Sequence, residues 1–141
     1  MLMVIDIGNT NITVGIYKGD KLIGNYRLTT KMKRTSDEYG FMIMNFLTSS
    51  KVSYDQIKDV IISSVVPKIM HSFLNGIRKY MHKEPIVVGP GIKTGISVKA
   101  ENPKAVGSDR IVDAAGAFYE YGGPCLVVDF GTMTTFDYVD E

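Results

Sequence analysis

The sequence has little of several features that define particular classes of protein. It contains one cysteine, Cys125, so no disulfide can form within the chain, and its place before an apolar run predicts a buried thiol. No apolar run approaches the roughly 20 residues that a membrane-spanning helix needs. The start, MLMVIDIGNT, lacks the basic region, long apolar stretch and cleavage site of a signal peptide. We therefore expect a cytoplasmic protein with no membrane partner.

Clustered charge of one sign is also missing. The chain has 16 Lys and Arg against 15 Asp and Glu, a net charge of +1, and its longest basic stretch is Lys31–Arg34, interrupted by Met32. A nucleic-acid-binding surface needs clustered basic residues, so we expect no nucleic-acid partner. The sequence has neither a Gly-x-x-x-x-Gly-Lys-Ser/Thr motif nor a dinucleotide-binding fingerprint.

One short motif is present, and it occurs twice. Residues 4–13 read VIDIGNTNIT, and residues 127–137 read VVDFGTMTTFD. Each is an apolar run that ends in Asp-x-Gly, followed by small polar residues and a second apolar run, which predicts a β-hairpin. Glycine lets the backbone approach a phosphate, backbone N–H groups bind its oxygens, and the acid, Asp6 or Asp129, holds a hydrated cation. Two such turns facing each other predict a two-lobed phosphotransferase that binds a nucleoside triphosphate.

The pattern between the two motifs predicts an α/β fold. Thr35 and the acids after it indicate the start of one helix, and Pro67 suits the first turn of a second helix. Because these helices alternate with later strands, the lobe is expected to have a mixed sheet. The glycine-rich segment Gly89–Gly95 reads as a loop, so we place a first domain at residues 1–95. The predicted strands are residues 2–7, 12–18, 21–30, 59–65 and 85–88.

The second predicted domain, residues 96–141, is smaller. A helix runs from Ser108 to about Tyr121, where Gly-Gly-Pro follows, and two strands span residues 125–129 and 134–139. One helix and one hairpin are too few to cover the apolar surface of a lobe. We therefore expect the chain to be truncated, or to depend on a partner for burial.

The ordered motifs resemble those of the type III pantothenate kinases. They are the Asp-x-Gly-Asn-Thr motif from Asp6, the tetrad Gly107–Arg110 and the run DFGTMTTFD from Asp129, together with the Gly89–Gly95 loop and the ENP stretch from Glu101. That family is part of the acetate and sugar kinase, heat-shock chaperone and actin superfamily. The resemblance implies a ribonuclease H-like, actin-type ATPase fold. Since family members are considerably longer, the chain is expected to hold one complete mixed-sheet lobe plus the start of a second.

The resemblance also implies a role for each motif. The reaction would be ATP-dependent phosphorylation of pantothenate to 4′-phosphopantothenate, the first step of coenzyme A biosynthesis, by a homodimer with the substrate pocket at its interface. Asp109 would be the general base, Asp6 would lie near Mg²⁺ through water, and Asp129 would bind a monovalent cation, K⁺ or NH₄⁺. ATP and its phosphates would contact Asp6, Ile7, Gly8, Asn9, Thr10, Asn11, Ile12, Thr13 and Thr132, and pantothenate would contact Ala100, Gly107, Ser108, Asp109 and Arg110.

Two positions depart from the family's pattern. Ala100 stands where the family commonly has a tyrosine that contacts pantothenate, and a hydrogen bond lost there would weaken substrate binding by on the order of 1 kcal/mol or more. Ser108 replaces a frequent alanine, which is a mild change. The Ala100 departure bears on which substrate is bound rather than on the class of reaction.

The residues themselves suit direct phosphoryl transfer but leave alternatives open. A helix N-terminus favours an anion and would keep Asp109 ionised, the form a base needs, while Arg110 offers paired hydrogen bonds to a carboxylate or phosphate. Asp109 can also be an ordinary capping acid, and Asp6 and Asp129 can be turn residues. Asp137 can be a solvent-exposed strand end or a second cation ligand.

Two other functions compete with a kinase. One is a non-catalytic regulatory protein on the same fold, and the other is a lobe that binds nucleotide without transferring a phosphoryl group. The carboxylates Asp6, Asp109 and Asp129 argue against a regulator, because a protein without catalysis has no physical need for all three. We therefore predict an ATP-dependent small-molecule kinase.

Overall fold

The computed structural model describes residues 1–89 and 92–141. Pro90 and Gly91, which belong to the predicted loop Gly89–Gly95, lie outside the described residues.

The described residues form two compact units, Met1–Val88 and Gly89–Glu141. The sequence places the division after residue 95 instead. That the two units are the two predicted lobes stays a prediction, and each unit is described by itself.

The first unit is built on a mixed sheet, which has five strands within the described residues. They are β1 (Leu2–Ile7), β2 (Asn11–Lys18), β3 (Lys21–Thr29), β4 (Asp59–Ser64) and β5 (Ile86–Val87). Their order is β3-β2-β1-β4-β5, with β2 antiparallel to β1 and β3, and β4 parallel to β1 and β5. Short turns make the first three strands antiparallel, whereas parallel neighbours need longer, helical connections.

The core of the first unit lies between this sheet and two helices, α1 (Ser36–Ser49) and α2 (Pro67–Met81). Alternate strand residues face the core, as expected for strands with one buried face. The two helices approach closely at Gly76, where a Cβ would lie 2.7 Å from the backbone oxygen of Ser36. The largest fully buried side chains are Tyr39, Phe73, Met3, Ile7, Ile12, Ile16, Ile43, Leu47, Ile57, Ile62, Ile77 and Met81.

Both helices begin where the sequence predicts. Thr35 caps α1: its hydroxyl accepts a hydrogen bond from the Glu38 N–H (3.2 Å), and the Glu38 carboxylate accepts one from the Thr35 N–H (2.7 Å). This reciprocal capping box satisfies two backbone donors and lowers the pKa of Glu38 below its ordinary value. Pro67 occupies the first turn of α2. Proline lacks a backbone N–H, and this costs nothing there because N–H groups of the first turn have no partner within the helix.

The described part of the second unit contains one helix and one hairpin. Helix α3 (Ser108–Tyr121) packs against the antiparallel strands β6 (Cys125–Phe130) and β7 (Thr134–Val139). The helix ends at Gly122, whose φ of 78° lies in the left-handed region that favours glycine. A short 3₁₀ turn, Pro103–Ala105, precedes the helix.

The predicted α/β class with a mixed sheet is confirmed, and the strands end within one residue of their predicted ends. The sequence does not predict the 3₁₀ turns at Tyr54–Gln56 and Pro103–Ala105. The buried thiol expected at Cys125 is wrong: the residue is half-buried, because one helix covers too little of the hairpin to exclude solvent. Within the described part of the chain, every helix is too short or too polar to cross a membrane.

Candidate functional site

The first Asp-x-Gly turn joins β1 to β2. Strand pairing ends at Ile7 and Ile12, and the Gly8 N–H donates to the Asn11 carbonyl oxygen (2.9 Å), which closes the loop. A Cβ on Gly8 would lie 3.3 Å from that oxygen, so glycine suits this close approach. Ile7 and Ile12 are fully buried in the core, so they can reach a ligand only through their backbone. The exposed residues of the predicted phosphate loop are Asp6, Asn9, Thr10 and Asn11, and Gly8 and Thr13 are half-buried.

Thr30 holds this loop from the end of β3. Its hydroxyl donates to the Gly8 carbonyl oxygen (2.8 Å), and its N–H donates to the Thr10 carbonyl oxygen (2.9 Å). Thr30 is one of two buried polar residues in the described part of the chain, with 5% of its surface exposed. The sequence does not single it out, because a threonine at the end of the predicted strand 21–30 gives no signal that distinguishes it from the other residues of that strand.

The tetrad Gly107–Arg110 forms the start of α3. Gly107 is the N-cap residue and makes no side-chain capping bond, so Asp109, in the first turn, is not the residue that caps the helix. One Asp109 carboxylate oxygen accepts the N–H of Arg110 at 2.8 Å, and the residue is half-buried. Its role as general base stays a prediction.

The next residue, Arg110, is held by Asp137 of β7. The Arg110 Nε donates to both carboxylate oxygens of Asp137 at 3.0 Å, and Nη2 donates to one of them and to the Phe136 carbonyl oxygen. These bonds raise the pKa of the Arg110 guanidinium above its ordinary value. Asp137 is therefore neither a solvent-exposed strand end nor a free cation ligand. The paired hydrogen bonds expected of Arg110 are thus made to Asp137 through Nε and Nη2, and Nη1 lies on the other side of the guanidinium.

An open cavity of about 560 Å³ lies within the second unit. Two of the residues predicted to bind pantothenate, Ala100 and Arg110, line it, whereas Asp109 does not. Apolar side chains of α3 and β7, among them Phe118 and Val139, form another part of its lining. The cavity thus combines apolar surface with charged groups of both signs, namely Lys99 and Arg110 with Asp137, Asp140 and Glu141, which suits a small molecule with apolar and polar parts.

The second Asp-x-Gly turn joins β6 to β7. Asp129 and Thr132, the residues predicted to contact a cation and ATP, are both exposed. The Asp129 carboxylate lies over the turn, since a Cβ on Gly131 would be only 3.1 Å from its Oδ2. Because Gly131 has no side chain, the Asp129 carboxylate can lie this close to the turn.

The predicted cation ligands are single exposed carboxylates. Mg²⁺ in kinase sites is commonly held by one or two carboxylates together with substrate phosphates and water, and Asp6 beside the Gly8 turn fits that requirement. Asp129 is a single exposed carboxylate over its glycine turn, and its role towards a monovalent cation stays a prediction. In residues 1–89 and 92–141, no group of three or more His, Cys, Asp or Glu residues is placed to hold a metal ion.

One face of the β6–β7 hairpin, which we call the open face, is apolar and exposed. Alternate residues of a strand share a face, so the cross-strand pairs Leu126–Tyr138, Val128–Phe136 and Phe130–Thr134 lie together. Phe130 is 83% exposed, Tyr138 69% and Phe136 62%. Isolated apolar residues are ordinary on a protein surface, but a contiguous patch of this kind indicates a surface that is covered by something else.

The β1–β2 hairpin of the first unit shows what covers an equivalent face. When the two motifs are aligned on Asp6 and Asp129, the open face corresponds to the pairs Met3–Ile16, Ile5–Val14 and Ile7–Ile12. Those six residues are buried in the core together with residues of α1 and α2. The two hairpins therefore place these cross-strand pairs alike, although the second turn is one residue shorter, and they differ in what covers the pairs.

The mixed sheet and the two Asp-x-Gly hairpins define the class of actin-like ATPase folds. A family model described as type III pantothenate kinase matches residues 2–141. Over 141 residues, 100% of this chain, the sequence is 56% identical to the type III pantothenate kinase of Bifidobacterium longum subsp. infantis, 55% of which is covered. It is 55% identical to that of Agathobacter rectalis and 52% identical to that of Listeria innocua, each over 100% of this chain and 54% of the relative. The chain belongs to the type III pantothenate kinase family.

The chain spans about half the length of these curated relatives. The activity, substrates and partners of a complete family member are therefore matters of proposal for this chain.

Proposed function

We propose that the protein transfers the γ-phosphoryl group of ATP to pantothenate, giving 4′-phosphopantothenate, the first step of coenzyme A biosynthesis. The observation that carries this proposal is the family match over residues 2–141, which includes the motifs of Asp6, Asp109 and Asp129. Neither the fold nor the relatives favour a non-catalytic regulatory or nucleotide-binding protein.

The chemistry we propose is direct in-line transfer. Phosphoryl transfer depends mainly on positioning and on neutralising charge. The loop Asp6–Thr13 binds the phosphates of ATP through its backbone and exposed polar groups, and Thr132 adds a second contact. Asp109 accepts the proton of the primary hydroxyl of pantothenate as that oxygen attacks the γ-phosphorus. The bond from the γ-phosphorus to the β,γ-bridging oxygen breaks, and ADP leaves.

Pantothenate binds, in this proposal, in the cavity of the second unit. Arg110 uses its Nη1 group for the pantothenate carboxylate, because its other edge is already bound to Asp137. Gly107 and Ser108, at the start of α3, complete the proposed substrate segment, although neither lines the cavity. Ala100, which lines the cavity, leaves space where the family commonly has a tyrosine.

Cations complete the proposed site. Asp6 holds Mg²⁺ through water, and Asp129 holds K⁺ or NH₄⁺. When bound, these cations neutralise negative charge on the phosphates of ATP.

We further propose that the protein works as a homodimer in the cytoplasm. The open face of the β6–β7 hairpin supports a partner, because an apolar surface of this kind is stabilised by burial. Neither a nucleic acid nor a membrane is proposed as a partner.

Detection of the product tests the proposed reaction. The chain is incubated with Mg²⁺, ATP and pantothenate, and 4′-phosphopantothenate is measured by mass spectrometry. We expect product that requires both substrates. ATP binding without any product would favour the nucleotide-binding alternative, whereas ATP consumption that ignores pantothenate would point to a different acceptor.

A further inference from the structure

The Gly8–Asn11 loop is fixed by hydrogen bonds to its carbonyl groups. The Gly8 and Thr10 carbonyl oxygens each accept a bond from Thr30, and the Asn11 carbonyl oxygen accepts one from the Gly8 N–H. Three of the loop's carbonyl oxygens therefore already have donors within the protein. This matters for a phosphate ligand, because a carbonyl oxygen carries partial negative charge and repels it.

The position of the carbonyl groups also fixes the direction of the N–H groups. In a planar trans peptide unit, the C=O and the N–H point in opposite directions. Since the Gly8 and Thr10 C=O groups point towards Thr30, the N–H groups of Asn9 and Asn11 point away from it. Thr30 thus fixes the direction of these two donors within an exposed loop.

Thr30 is well placed to hold this geometry. It is 5% exposed, so water competes little for its bonds, and its side chain and backbone act on two different peptide units of the loop. A loop of glycine and small polar residues would otherwise have several conformations of similar energy. We infer, on the basis of the proposed function, that Thr30 is a positioning residue that presents the Asn9 and Asn11 N–H groups to the phosphates of ATP.

The experiment compares the chain with Thr30→Val, Thr30→Ser and Thr29→Val. Valine has the shape of threonine without the hydroxyl and keeps the backbone N–H, whereas serine keeps the hydroxyl. Thr29 is the exposed neighbour and serves as a matched control. Amide hydrogen exchange of residues 8–11 is measured without ligand, and the Kd for Mg-ATP is measured by calorimetry on the same samples.

We expect Thr30→Val to speed the exchange of the loop amides and to raise the Kd for Mg-ATP about fivefold to tenfold, the change that one lost net hydrogen bond produces. Thr30→Ser and Thr29→Val should stay near the original values. Should Thr30→Val fail to fold, Thr30→Ser still tests the inference, because it must retain both the slow exchange and the affinity.

Two results would overturn the inference. One is unchanged loop exchange and unchanged Kd in a folded Thr30→Val variant, and the other is equal weakening by Thr30→Val and Thr29→Val. A different result would overturn the proposed function first: if the original chain itself does not bind Mg-ATP, the loop has no phosphate ligand. Faster loop exchange in Thr30→Val would then still show that Thr30 orders the loop.

Discussion

At the scale of single residues, the start of α3 places two charged groups with different tasks. Asp109 accepts a bond from the Arg110 N–H, whereas the Arg110 side chain is fixed by Asp137. The carboxylate proposed as base and the guanidinium proposed as substrate ligand therefore have separate supports. Replacing Asp109 should therefore change the rate of turnover, whereas breaking the Arg110–Asp137 pair should change stability and the KM for pantothenate.

Asp109→Asn removes the proposed base while keeping the size of the side chain. We expect the rate of pantothenate-dependent ADP release to fall about 10²- to 10⁴-fold, the usual contribution of a general base, with little change in the Kd for ATP. Glu120→Gln, on an exposed position of the same helix, is the control and should behave like the original chain. Normal turnover in Asp109→Asn would refute the base assignment.

Asp137→Asn breaks the ion pair with Arg110. Because Asp137 is only 19% exposed and Arg110 37%, we expect a loss of about 1–2 kcal/mol in the free energy of unfolding of the second unit, less than a fully buried pair would give. The KM for pantothenate should also rise, since Arg110 loses its support. Urea denaturation and steady-state kinetics measure the two effects. Glu120→Gln, on an exposed residue of α3 that does not line the cavity, is the control, and equal effects of both variants would contradict the account.

At the scale of elements, α1 and α2 are tied together at their ends. The Asp37 carboxylate in the first turn of α1 accepts bonds from Lys79 Nζ (2.7 Å) and the Tyr80 hydroxyl (2.8 Å) of α2. These bonds, that of Lys79 first, lower the pKa of Asp37 below its ordinary value of 3.8. Because the residues are exposed, the bond contributes modestly to stability, but its dependence on pH is distinctive.

This pair predicts a stability difference that depends on pH. A carboxylate with a lowered folded-state pKa stabilises the fold above its unfolded pKa, and the contribution is lost as the pH falls through the folded pKa. Asp37→Asn should therefore lower the Tm at pH 7, and the difference should shrink as the pH falls below about 3.8 and disappear below the still lower pKa of the folded state. Thermal unfolding followed by circular dichroism measures it, and Lys79→Gln should reproduce the loss at pH 7. A difference that is the same at pH 7 and pH 3 would contradict the assignment.

At the scale of the whole molecule, the two hairpins share one pattern and differ in what covers it. The apolar face of β1–β2 is buried with residues of α1 and α2, whereas the open face of β6–β7 is exposed. The open face has the composition of a core rather than of a surface, since five of its six residues are apolar or aromatic. Exposure of such an apolar face to water is unfavourable, so we expect the chain to associate through the open face.

Self-association through the open face is the corresponding prediction. We expect the chain to show a mass that rises with concentration in multi-angle light scattering, and the double variant Phe130→Asp, Phe136→Asp to be monomeric. Tyr119→Ser is the control, since Tyr119 is 90% exposed on α3 and does not belong to the open face. A monomeric original chain, or association that survives the double variant, would show that the open face is not the contact.

The predictable parts of this molecule are those that depend on near neighbours in the sequence. Alternation of apolar residues predicts the strands, and Thr35 and Pro67 mark the helix starts, because capping and proline geometry act within one turn. The Asp-x-Gly hairpins follow from the same local rules.

The parts that the sequence does not predict depend on contacts between distant residues. The Thr30 bond to Gly8 spans 22 residues, and the Arg110 bond to Asp137 spans 27. Nothing near Asp137 reveals that it pairs with an arginine rather than with a cation. The packing of Cys125 is likewise decided by what covers the hairpin and not by the apolar run that follows it.

The most direct test of the central claim is pantothenate-dependent ADP release by this chain with Mg-ATP, measured in potassium and again in sodium. The account predicts release that requires pantothenate and is faster in potassium, which would support the kinase activity, the substrate and the cation role of Asp129 together. A well-folded sample that releases no ADP in either salt would contradict the claim that these 141 residues carry out the reaction.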